Sequence, residues 1–203
     1  GSAGRAALLA HHFARSDERD KAIEALLRAA ADAERVPSYH AAREFYRAAW
    51  NMAAQALEAA PDDGLRRHAL SAALGFCHMS VIYASTGETE EIERIARHGR
   101  ELARELDVKA AYASFPSYEG LAAISSGPDR FAHGLALVED ALATARRDGL
   151  VHNAVNISRG LAYTYLFDGR FREANELIER ALHELEAMEA PGRPSDLWFG
   201  VRS

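Results

Sequence analysis

The chain has 203 residues, a hydrophobic fraction of 48% and a formal net charge of −6 at pH 7. The hydrophobic fraction excludes a disordered chain, and the acidic balance argues against nonspecific binding to nucleic acid. No stretch approaches the roughly 20 apolar residues that cross a bilayer, and no signal peptide is recognisable. The single Cys77 cannot form an internal disulfide, which favours a reducing, cytoplasmic location.

The residue types favour helices over strands. Alanine, the best helix former, is the most frequent residue type, whereas the β-branched residues Val, Ile and Thr are scarce. Between Gly, Pro and Asp-rich breaks, apolar residues recur every three or four positions, as in Phe171, Ala174 and Ile178. We therefore predict an all-α chain of about nine helices, at 5–14, 19–35, 38–59, 64–85, 89–106, 109–125, 129–147, 151–167 and 170–188. We expect residues 190–203 to be either a tail or the start of a truncated further repeat.

A repeated pattern with a period of 41 positions is the main signal along the chain. Tyr83 precedes Gly87 by four positions, and Tyr165 precedes Gly169 by the same interval. The two tyrosines are 82 positions apart (165 minus 83), which is two units of 41. A fixed period of this size with helix–turn–helix content is typical of a solenoid, in which each hairpin buries its apolar face against the next.

One segment carries a recognisable pattern of large, small and aromatic residues: Leu161, Ala162, Tyr165, Gly169, Phe171, Ala174, Ile178, Ala181 and Leu182. This segment resembles a tetratricopeptide repeat, and looser copies cover most of residues 1–189. The resemblance implies a right-handed superhelical solenoid of antiparallel helix pairs. The unit is longer than the usual repeat of about 34 residues, and residues 38–59 are left without a partner helix. Long-helix arrays of this kind resemble those of bacterial signal-transduction proteins that carry ATPase, cyclase or DNA-binding modules.

The sequence offers no catalytic or metal-binding pattern. Neither lysine follows a phosphate-binding glycine loop, and the nine histidines lack the spacing of metal ligands. Cys77 lies between apolar neighbours and is typical of a small buried hydrophobe. Arginines such as Arg43 and Arg47 favour ion pairs on exposed helices over a nucleic-acid patch. We therefore expect no enzyme activity, no cofactor and no bound metal; an enzyme built on helical repeats is the minor alternative.

The resemblance also implies where a partner binds, because the first helix of each pair lines the concave side of such arrays. In this register Asn156, Arg159 and Tyr163 lie on the inner face of helix 151–167. Glu119 and His78 occupy the equivalent face one and two repeats earlier. Asn156 and Arg159 suit a carboxylate or a peptide backbone; the alternative is that both are simply solvated.

The preferred function is a non-enzymatic scaffold that binds a protein or peptide through its concave face. The alternative is an effector-sensing regulatory segment of a larger bacterial signalling ATPase, cyclase or transcription regulator, with other domains of that protein as partners. Trp198 and Phe199 in the tail are expected either to cap the last hairpin or to mediate a homodimer. Neither function involves nucleic acid or membrane binding by this segment.

Overall fold

The computed structural model describes residues 19–36, 38–60, 62–82 and 88–188, and within these ranges every regular element is an α-helix. The eight helices are α1 Arg19–Arg35, α2 Tyr39–Ala59, α3 Asp63–Ile82, α4 Thr89–Glu105, α5 Lys109–Ser126, α6 Pro128–Arg147, α7 Val151–Phe167 and α8 Phe171–Met188. The predicted all-α class is confirmed there, with eight helices in place of about nine. The predicted helix 5–14, Tyr83, Gly87 and the tail 190–203 lie outside the described residues.

The helices pack in chain order, each against the next. The odd-numbered helices also contact one another, since α1 contacts α3, α3 contacts α5 and α5 contacts α7. In the described part of the chain, consecutive even-numbered helices lack contacts of that extent. The odd-numbered helices therefore form one row and the even-numbered helices lie beside it. Residues 38–59, which the repeat pattern leaves without a partner, include all of α2 and pack against both α1 and α3.

Glycines allow the helices to approach closely where they cross. A methyl group on Gly75 of α3 would lie 2.4 Å from the Tyr46 ring of α2. Similarly, a methyl group on Gly99 of α4 would lie 2.3 Å from the Phe115 ring of α5. Both distances are well inside van der Waals contact, so each aromatic ring occupies the space that a larger residue would need.

Three helices end in the same way, with one residue in the left-handed region. Gly149 after α6 has a φ of 69°, Gly169 after α7 has a φ of 77°, and Asp107 occupies the corresponding place after α4 with a φ of 54°. Beyond α7, the Arg170 amide donates to the Tyr165 carbonyl at 2.8 Å, which closes a Schellman-type turn. The predicted ends of α6 and α7, at 147 and 167, are confirmed.

Two tyrosines of α7 lie in different surroundings. Tyr165 is buried, and its hydroxyl donates to Glu139 Oε1 of α6 at 2.6 Å. The Arg170 guanidinium stacks 3.9 Å from the centroid of the same ring. Tyr163, two positions earlier, is 61% exposed. The two tyrosines therefore lie on different sides of the helix.

An ion-pair network joins α2 to the start of α4. Arg43 Nη1 lies 2.6 Å from Glu88 Oε2, and Arg47 Nη2 lies 3.0 Å from Glu88 Oε1 and 3.1 Å from Glu91 Oε2. The Arg47 guanidinium also sits 5.2 Å from the Phe76 ring centroid. The prediction of an exposed ion pair is wrong for Arg43, because its side chain is buried and its partner Glu88 is 45 residues away.

Candidate functional site

Three successive odd-numbered helices bring polar side chains together on one surface. His78 comes from α3, Tyr118 from α5 and Arg159 from α7, and we call the surface that they define the odd-helix face. The three side chains are 40 and 41 positions apart (118 minus 78, and 159 minus 118). One residue from each of these three helices thus contributes to the same surface.

Direct contacts fix how α5 and α7 lie side by side. Asn153 Nδ2 of α7 donates to the Ala110 carbonyl at 2.8 Å and to Ser114 Oγ at 2.6 Å, both in α5. Further along, a methyl group on Gly160 would lie only 3.0 Å from Leu121 Cδ1. These contacts pair residues about one repeat apart along most of both helices.

His78 and Tyr118 form the half-buried part of the odd-helix face. Their rings meet edge to face, with centroids 6.2 Å apart and planes at 68°. Burial, together with the positive charge of Arg159, lowers the pKa of His78 from 6.5 to about 4. Burial raises the pKa of the Tyr118 phenol. At neutral pH the pair therefore presents an uncharged imidazole and an uncharged phenol.

Arg159 supplies the positive charge of this surface. Its side chain is exposed, yet its charge acts on both His78 and Tyr118. Within the described residues no carboxylate forms an ion pair with it. A guanidinium carries five N–H donors and binds a carboxylate in a two-bond geometry. The arrangement is therefore suited to holding an acidic group or peptide carbonyls.

Asn156 and Tyr163 extend the exposed side of α7 around Arg159. The three residues are separated by three and four positions, so they share one side of the helix. Asn156 is exposed, and Tyr163 offers an apolar ring with a hydroxyl at its tip. The structure thus brings together a donor and acceptor amide, a cation and an aromatic ring along a single helix.

Glu119 lies in different surroundings from the other predicted site residues. The charges that act on it come from Arg100 and Arg97 of α4, then Glu93, and from His133 of α6. Burial raises the pKa of its carboxyl group. Glu119 also acts on the pKa of Cys77 in α3, so it lies near groups of α3, α4 and α6, and the ring that contacts His78 is that of the neighbouring Tyr118.

A period of 41 positions counted from His78 reaches Glu119, whereas the ring that contacts His78 belongs to Tyr118, 40 positions further along the chain. A helix turns about 100° per residue, so a shift of one position moves a side chain to another face. The signal for Tyr118 in the sequence is that it follows His78 by 40 positions, close to one period.

The described residues include no cluster of metal ligands. No group of three or more His, Cys, Asp or Glu side chains in that part of the chain is placed to hold a metal ion. The Cys77 thiol is buried 3.9 Å from the Ile92 carbonyl oxygen, and burial raises its pKa. A buried, protonated thiol is a poor nucleophile, which fits the packing role predicted for Cys77.

None of the described helices combines the length and apolar character that a bilayer crossing needs. In comparisons with known proteins, the chain matches no family of known sequence pattern and no curated protein.

Proposed function

We propose that the chain is a non-enzymatic helical-repeat scaffold that binds a protein or peptide partner through the odd-helix face. In this proposal the helix pairs α1–α2, α3–α4, α5–α6 and α7–α8 stack into a right-handed, tetratricopeptide-like solenoid. The contacts of α1 with α3, of α3 with α5 and of α5 with α7 support this arrangement, because in such a solenoid the first helices of successive pairs line the concave side.

The observation that carries the proposal is the succession of His78, Tyr118 and Arg159 on α3, α5 and α7. An extended peptide crosses several repeats of a solenoid, so its binding groups must recur about once per repeat. The neutral rings of His78 and Tyr118 suit uncharged parts of a peptide. The charge of Arg159, with the amide of Asn156 nearby on the same side of α7, suits an acidic side chain or a terminal carboxylate.

Replacing Arg159 with Ala tests the proposal. Losing a charge-assisted hydrogen bond costs about 1.5–3 kcal/mol, so we expect affinity for bound peptides to fall by roughly one to two orders of magnitude. The measurement is binding to an array of peptides that vary in sequence and in acidic content, followed by titration of those that bind.

Arg94→Ala is the matched control. Arg94 is an exposed arginine of α4, an even-numbered helix, so its removal changes the net charge equally but leaves the odd-helix face intact. Equal losses in both variants would indicate a nonspecific charge effect and contradict the proposal. Unchanged binding in Arg159→Ala would contradict it as well.

A further inference from the structure

The helices α3, α5 and α7 carry very few carboxylates, although the chain as a whole is acidic. Asp63 and Glu119 are the only two acidic residues on these helices, whereas α4 and α8 carry five each. α1, the remaining odd-numbered helix of the described chain, has four acidic and four basic residues and is neutral. The basic residues of α3, α5 and α7 number four: Arg66, Arg67, Lys109 and Arg159. These three helices therefore carry a positive balance in a chain of net charge −6.

Neither of the two carboxylates neutralises the odd-helix face. Asp63 Oδ1 accepts a hydrogen bond from Arg66 Nη1 at 2.7 Å, on its own helix. Glu119 forms no ion pair within the described residues, and the charges that act most on it come from α4. Arg159 and Arg67 therefore keep their charge on a surface that offers an acidic ligand little repulsion.

Arg67 of α3 lies on the same side of its helix as His78. The two residues are 11 positions apart (78 minus 67), which is close to three full turns. Arg67 is exposed and, in the part of the chain that the structure describes, takes part in no ion pair. At about 1.5 Å per residue it extends the odd-helix face by about 16 Å along α3.

Arg67 and Arg159 mark opposite corners of this surface. Because His78 contacts Tyr118 and responds to the charge of Arg159, these three residues lie side by side across the helices. Packed helices are about 8–10 Å apart, so α3 and α7, with α5 between them, are about 16–20 Å apart. Combined with the offset along α3, this separates the two arginine positions by about 24 Å. An extended peptide advances about 3.3 Å per residue and covers that distance in about seven residues.

We propose that the odd-helix face binds an extended peptide segment with two acidic side chains about seven residues apart, one against Arg159 and the other against Arg67. Between these anchors the peptide crosses the neutral rings of His78 and Tyr118, so its central residues are uncharged. A protein segment suits this surface better than nucleic acid, which needs a stronger basic field. The inference rests on the function proposed above, and it adds the chemistry of the partner and a second anchor.

The test is isothermal titration calorimetry of the full chain with synthetic peptides. Their C-termini are amidated, so that only side chains supply carboxylates. The probe has two aspartates about seven positions apart, with uncharged residues between them. Replacing either aspartate with asparagine should weaken binding about tenfold, because one charge-assisted hydrogen bond is lost. Moving the two aspartates next to each other should weaken binding about as much, because only one arginine is then within reach.

Arg67→Gln should also weaken binding of the probe about tenfold. One of the two single-aspartate peptides should be insensitive to Arg67→Gln, and the other should be insensitive to Arg159→Gln. Arg180→Gln is the matched control, because Arg180 is an exposed arginine of α8 that forms no ion pair among the described residues. It removes the same charge and should leave binding unchanged.

Equal binding of the probe and its double-asparagine form would overturn this inference and leave the scaffold function standing, since a peptide still binds. Equal losses in Arg67→Gln and Arg180→Gln would overturn it, as would complete displacement of the probe by a single-stranded oligonucleotide. Failure of the whole peptide set to bind would overturn it as well. Only failure of the broader peptide array in addition would contradict the proposed function.

Discussion

Replacing Gly134 with Ala should be among the most destabilising single changes in this chain. A methyl group there would lie 2.5 Å from the Gly120 carbonyl oxygen and 3.0 Å from the Ile124 amide nitrogen. Both atoms belong to the backbone of α5, so the clash is relieved only if the two helices move apart. Overpacking of this kind costs about 1–3 kcal/mol or more, and we expect a loss of about 3 kcal/mol in the free energy of unfolding. Urea denaturation followed by circular dichroism measures it.

Gly160→Ala is the matched control, because Gly160 also lies within a helix. Its added methyl group would lie 3.0 Å from Leu121 Cδ1, the flexible end of a side chain. Alanine also gains up to about 1 kcal/mol of helix propensity over glycine, so this variant should stay within about 1 kcal/mol of the unmodified chain. Equal effects of the two substitutions would contradict the close crossing of α5 and α6.

Glu88→Ala should be the second strongly destabilising substitution, because it removes a partner of a largely buried ion-pair network. The Glu88 carboxylate accepts Arg43 at 2.6 Å and Arg47 at 3.0 Å, and the side chain of Arg43 is only 10% exposed. Removing one partner of a buried pair costs about 3–5 kcal/mol. Because Glu88 and Arg47 keep some solvent contact, we expect a loss of about 2–3 kcal/mol in the free energy of unfolding.

Asp32→Ala provides the comparison for an exposed pair. Asp32 pairs with Arg35 on the surface of α1, where both side chains are more than half exposed. Such pairs contribute about 0–1 kcal/mol, so this substitution should be nearly neutral in the same denaturation experiment. An equally small effect of Glu88→Ala would show that the network contributes no more to stability than a surface pair.

The fold was largely predictable because its determinants are local. The spacing of Phe171, Ala174 and Ile178 predicts α8, and the left-handed glycines at 149 and 169 end α6 and α7 where the sequence places those ends. Arg43 shows the limit of such reasoning. Its burial depends on Glu88, a residue 45 positions away, and no local pattern connects the two.

The site was predictable in part, for a related reason. Periodicity places Arg159 and His78 on one face, and the electrostatic effect of Arg159 on His78 supports that placement. Periodicity gives the middle position on that face to Glu119, whereas in the structure the ring that contacts His78 is that of Tyr118. The three residues are 40 and 41 positions apart, so a constant period of 41 misses Tyr118 by one position, and an error of one position turns a side chain by about 100°.

The central claim is that successive helix pairs place His78, Tyr118 and Arg159 on one shared face. It has a consequence for the pH dependence of stability. In the folded chain the pKa of His78 is about 4, so the ring stays neutral until the pH falls to that value, whereas in the unfolded chain its pKa is 6.5. As the pH falls from 6.5 towards 4, the unfolded state therefore binds more protons, and the free energy of unfolding declines.

The most direct measurement is an NMR titration of the His78 ring in the unmodified chain and in Arg159→Gln, with Arg94→Gln as the control. We predict a midpoint near pH 4 in the unmodified chain and in Arg94→Gln. In Arg159→Gln the midpoint should rise by only part of that shift, because a nearby positive charge has been removed while burial, the larger cause of the low pKa, remains. A His78 midpoint that is the same in all three proteins would mean that Arg159 does not share a face with His78, and would contradict the claim.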